Sequence, residues 1–119
     1  MSRSKLELLT DRRTILCDLV ELRRPLDEIS FNLKQIPWDS EVPLVLLEQR
    51  HLASVLRRFR DNELSSRDVE CWANIIEGRE DISYEPNSAA GKLLHELANP
   101  DLTAPLTPER AAGLLGSIA

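Results

Sequence analysis

Apolar residues recur along this chain at the spacing of one helix face. Leu52, Val55, Leu56 and Phe59 stand at relative positions 0, 3, 4 and 7. Val69, Trp72, Ala73 and Ile76 repeat that pattern, as do Ala90, Leu93, Leu94 and Leu97, and then Ala111, Leu114, Leu115 and Ile118. Such spacing marks an amphipathic helix, because residues three and four apart share a face. Leu8, Ile15, Leu19 and Leu22 share a further face, with Leu9 and Leu16 at its edge. Arg12 falls on that face too, so this helix is expected to begin after Thr10 or Asp11. Leu26, Ile29, Leu33 and Ile36 predict a short helix between Pro25 and Ile36. The run Leu44 to Leu47 is too short for its period to separate a strand from a helical turn.

Punctuation agrees with the periods. All seven prolines lie between the apolar sets, where a residue that costs about 3 kcal/mol inside a helix belongs. Ser65 with Asp68 three residues on is close to a capping box. Thr107 followed by Pro108 reads as an N-cap and first helical residue. Gly78 is expected to close its helix in the left-handed conformation. The prediction is a single all-α domain over residues 1–119, a compact bundle of about five to six short helices.

Composition narrows the function classes. With 119 residues, 42% hydrophobic and 29% charged, the chain is of single-domain size and globular in balance. No apolar run approaches the roughly 20 residues of a bilayer span, and the charged N-terminus does not resemble a secretory signal. Cys17 and Cys71 are too few for a disulfide framework, so a reducing, cytoplasmic location is expected. No phosphate-cradling glycine loop, calcium loop or CxxC pair occurs, and no cofactor, metal or small-molecule substrate is expected. His51 and His95 both read as surface residues, His95 facing away from its apolar stripe. Cys71 lies beside Glu70 in acidic sequence, the wrong setting for a nucleophile.

Charge is distributed unevenly. The net charge of -5 conceals a basic helix with Arg50, Arg57, Arg58 and Arg60, followed by an acidic stretch. Glu63, Asp68, Glu70, Glu77, Glu80, Asp81 and Glu85 all fall within residues 63–85. The arginine helix allows a nucleic-acid-binding alternative. An acidic chain with few aromatic residues disfavours it. The leading expectation is a non-enzymatic protein-binding module whose partner-binding residues are Glu77, Glu80, Asp81 and Glu85. These are taken to gather at an exposed corner that meets a basic partner. If so, replacing Glu80 and Asp81 with lysine leaves stability nearly unchanged. Trp72 is expected in the core, and Trp38 is the other large aromatic group able to anchor an interface.

The run ELSSRDVECWANIIEGREDI at 63–82, with PWDSEVPLVLL at 37–47 and LLHELANPDLTAPLTPERA at 93–111, resembles a pattern of small bacterial all-helical proteins of unassigned function. The resemblance covers about two thirds of the chain and leaves the N-terminal 24 residues outside. In size and charge these proteins are similar to the immunity proteins that neutralise bacterial toxins. The resemblance implies a bacterial inhibitor of a basic toxin and brings no catalytic residue with it.

Overall fold

The computed structural model describes the backbone of residues 5–118 and the side chains from Asp11 onward, so the side chains of Leu8 and Leu9 lie outside the described residues. Six helices run in chain order: α1 Lys5–Glu21, α2 Leu26–Leu33, α3 Gln49–Arg60, α4 Ser66–Glu77, α5 Ala89–Ala98 and α6 Pro108–Ile118. Two short strands, β1 Val45–Leu46 and β2 Ile82–Ser83, pair in parallel, with Val45 opposite Ile82. The domain is all-α, and this two-residue ladder is its only sheet among the described residues.

The apolar stripes meet in one core. Helix α3 lies at its centre, against α1, α4, α5 and α6, while α4 packs on α5 and α1 on α2. Leu52, Val55 and Leu56 of α3, Val69, Trp72, Ala73 and Ile76 of α4, and Leu93, Leu94 and Leu97 of α5 are all buried. Leu16, Leu19 and Val20 bring α1 onto them. Trp72 is wholly buried and its indole Nε1–H donates to the carbonyl of Leu19, 2.7 Å away. Helix α6 contributes Ala111 and Leu115 against α3.

The caps explain where helices start. Ser65 Oγ accepts from the Asp68 amide and the Asp68 carboxylate accepts from the Ser65 amide, a full capping box with Asp in the Glu position. Thr107 Oγ1 accepts from the Arg110 amide, with Pro108 in the first turn. Ser88 caps α5 by accepting from the Gly91 amide. Gly91 is required by a close approach: a Cβ there would collide with the carbonyl oxygen of Glu85 and the backbone of Pro86.

The helix ends depart from expectation. Gly78 has φ -82°, so α4 does not stop in a left-handed residue. Among the described residues, the left-handed positions are Leu22 and Asn62. After each, a backbone bond reaches back five residues, from Arg23 N–H to Asp18 and from Glu63 N–H to Arg58, as in a Schellman closure. Leu22 accepts the strain of that conformation because its side chain is buried and its carbonyl receives the guanidinium of Arg58. Helix α1 also begins at Lys5 rather than after Thr10. Arg12 does not interrupt it, because that side chain has a buried partner.

His51 is a core residue, not a surface one. It occupies the third position of α3, and its Nδ1 accepts the amide of Glu48, which precedes the helix. Burial, and next the charge of Arg50, hold its pKa below the ordinary 6.5. Protonating Nδ1 destroys the cap. Between its folded-state pKa and about 6.5 the unfolded chain therefore binds more protons, so stability falls as pH drops through that window. The melting temperature should be lower at pH 5.5 than at pH 7.5. His51→Gln, whose amide oxygen can accept the same bond, should show a smaller drop. An equal drop in both proteins would remove His51 as its source.

Candidate functional site

The four carboxylates expected at one acidic corner differ in exposure, and one of them is not at the surface. Glu77 is half-buried at the end of α4, where Oε2 lies 3.1 Å from Nδ1 of His95 and Oε1 accepts from Asn99. Burial, then the charge of Glu77, raise the pKa of Tyr84. Glu85 is exposed, and its carbonyl shapes the turn into α5 by accepting from the Ser88 amide and hydroxyl. Glu80 is exposed. Asp81 is wholly buried, with 0% of its surface accessible. It cannot belong to an exposed acidic patch, and the expectation that it tolerates lysine is corrected with it.

Asp81 is instead the post to which three parts of the chain are tied. Arg12 of α1 reaches Oδ2 through Nε at 3.1 Å and Nη2 at 3.0 Å. Arg79 reaches Oδ1 through Nε at 2.9 Å and Oδ2 through Nη2 at 2.9 Å. The Asp81 carbonyl accepts the amides of Leu44 and Val45, entering β1. Both guanidiniums then extend to the loop after α2. Arg79 donates to the carbonyl of Pro37 at 2.7 Å, and Arg12 to Pro37 at 3.0 Å and Asp39 at 2.6 Å. The Glu80 amide donates to the carbonyl of Trp38 at 3.0 Å. The arginine side chains are only 14% and 7% exposed. Charge-assisted bonds at these lengths are the stronger class of hydrogen bond.

The loop held in this way carries Trp38 with its side chain outward, 58% exposed. Beside it opens a shallow cleft of about 380 Å³ between α2 and the C-terminal end of α4, lined by Leu33, Lys34, Trp38 and Ile75 among others. Five large hydrophobic side chains are exposed among the described residues. Four of them, Phe31, Trp38, Val42 and Leu46, fall within residues 31–46. Sequence reasoning named Trp38 but not the device that holds it. The available signal was Arg12, a charge on an apolar helix face.

Three of the four arginines of α3 have partners within the chain. Arg50 bonds Glu48 and Glu21, Arg58 caps α1 through Leu22, and Arg60 bonds Asp61. Arg50, Arg57 and Arg60 are exposed, and Arg58 is half-buried. A recess of about 230 Å³ beside α5 includes Arg110, which already bonds Glu96 and the carbonyl of Ala104. Cys17 and Cys71 are free thiols, both half-buried. Among the described residues, no three His, Cys, Asp or Glu side chains gather as a metal site. No described helix is long and apolar enough to cross a membrane. The chain matches no family model, no curated protein and no solved structure.

Proposed function

We propose that this chain is a non-enzymatic protein-binding module that docks through the Trp38 loop, and that its partner is a basic protein. An inhibitor of a basic bacterial toxin, acting in the cytoplasm, is the version that fits the resemblance. One observation carries the reading: an exposed tryptophan stands on a loop whose backbone is fixed from beneath by Arg12, Asp81 and Arg79. Tryptophan is enriched among the few residues that dominate interfaces. A loop already ordered before binding loses little conformational freedom on docking. The net charge of -5 speeds encounter with a basic surface and repels an acidic one.

Photocrosslinking tests this reading in cells of the protein's source. Benzoylphenylalanine in place of Trp38 should yield one discrete protein adduct. The same group in place of Arg67, which is exposed at the start of α4, should yield several-fold less. The captured protein should be basic, and its affinity should fall about tenfold or more in Trp38→Ala. Equal capture at both positions, or capture of nucleic acid alone, contradicts the proposal.

A further inference from the structure

The recess beside α5 carries negative charge that the chain itself does not match. Glu70 of α4, Glu96 of α5 and Asp101 of the following turn line it, against one cation, Arg110 of α6. Arg110 is already engaged, by Glu96 at 3.1 Å and by the carbonyl of Ala104 at 2.6 Å. Among the described residues, no basic group pairs with the carboxylate of Glu70 or Asp101. Leu97 and Pro100 bring the C-terminal end of α5 to the same opening, and such an end carries partial negative charge. The N-terminal end of α4 at Ser66 opposes it, but the Asp68 carboxylate stands in that first turn and caps it. Val69, Leu97 and Leu106 supply apolar lining. At about 230 Å³ the recess is smaller than the about 300–1,000 Å³ of a small-molecule site, and suits one side chain. Leu102, next to Asp101, is 78% exposed, more than any other of the exposed large hydrophobic residues described.

We propose that this recess receives an arginine side chain carried on a basic segment of the partner protein. Its stem packs on Val69, Leu97 and Leu106, and its guanidinium pairs with Glu70 and Asp101. Arg110 displays the same chemistry within the chain, where a guanidinium finds one carboxylate and one carbonyl. The planar fork of arginine matches a carboxylate better than the point charge of lysine, and its stem covers apolar surface while the charge stays at the edge. An acidic occupant would face two unpaired carboxylates and is repelled. The inference rests on the reading of a basic partner and adds a second contact to it. The recess meets α4 at residues 66–70 and the Trp38 cleft meets it at 74–78. Arg67, the crosslinking control, does not line the recess and lies about 100° round the helix from Ser66.

Nuclear magnetic resonance titration of the full chain tests the inference. The probe is a blocked five-residue peptide with one central arginine, alongside versions with citrulline, which has the same shape without the charge, or glutamate. The arginine peptide should move the methyl resonances of Leu97 and Leu106 saturably, with binding weakened by added salt. The citrulline peptide should bind about tenfold more weakly. Glu70→Gln combined with Asp101→Asn should weaken the arginine peptide about tenfold and leave the spectrum folded. Trp38→Ala should bind it as the parent does. Equal binding of the citrulline or glutamate peptide overturns the inference. So does the absence of a saturable shift at Leu97 and Leu106, undiminished binding by the double variant, or loss of the response in Trp38→Ala. If crosslinking at position 38 captures a basic protein while the peptides fail to discriminate, the docking reading stands and the recess falls. If the peptides discriminate while crosslinking captures nothing, the recess stands and docking through Trp38 falls.

Discussion

Asp81→Ala should destabilise the domain by about 3–5 kcal/mol, a large part of the roughly 5–15 kcal/mol that holds a domain of this size together. The carboxylate is wholly buried between two guanidiniums that are themselves largely covered. Removing it deletes four charge-assisted bonds and leaves two like charges facing one another with little solvent. The remaining acceptors, the carbonyls of Pro37 and Asp39, are dipoles and do not neutralise them. Asp81→Asn keeps the shape and removes the charge, so it should lose most of the same stability. Glu80→Lys, one residue earlier and exposed, should stay within about 0.5 kcal/mol. Urea unfolding of the three variants measures the contrast. A loss below about 1 kcal/mol in Asp81→Ala would mean that Arg12 and Arg79 reach water in solution.

Trp72→Ala should cost about 3–5 kcal/mol, the range for truncating a buried aromatic side chain. Trp72 sits where α4 meets α1 and is closed from solvent. The truncation opens a cavity in the buried core beside Leu19. It also leaves the Leu19 carbonyl with the Leu22 amide as its remaining donor. Trp72→Phe retains most of the volume and should lose less, on the order of 1–2 kcal/mol, chiefly from the missing indole donor and the smaller ring. If both substitutions prove equally mild, the indole is not packed as described. Trp38→Ala should scarcely change stability, because that side chain is mostly exposed. The two tryptophans thus separate packing from presentation.

Much of the fold is legible in the order of residues. The stripes at 52–59, 69–76, 90–97 and 111–118 fall within α3, α4, α5 and α6, and Ser65 and Thr107 cap where their side chains allow. These signals are local, and local signals survive without knowledge of tertiary contacts. The site was less legible because its bonds are not local. Asp81 lies in a run of charges that reads as solvated, and its burial depends on Arg12, 69 residues earlier. Arg12 does fall on a core-facing position, but the helix starts before it, at Lys5, and not after Thr10 or Asp11. A charge at a core-facing position can equally signal a distant countercharge. His51 was misread because a capping box is sought with Glu or Gln in its third position, whereas here an imidazole nitrogen accepts the bond. Strands of two residues carry no period at all, so β1 and β2 became visible only through their pairing.

The claim that joins fold to function is that Arg12, Asp81 and Arg79 hold Trp38 ready for a partner. Backbone nitrogen-15 relaxation of the free protein tests it most directly, at the amides of Trp38 and Asp39. Order parameters of about 0.85, equal to those of α3 and α4, are the result the pinned loop requires. Values below about 0.6 at these two amides would show that the loop moves freely and that the buried cluster does not present Trp38 to anything.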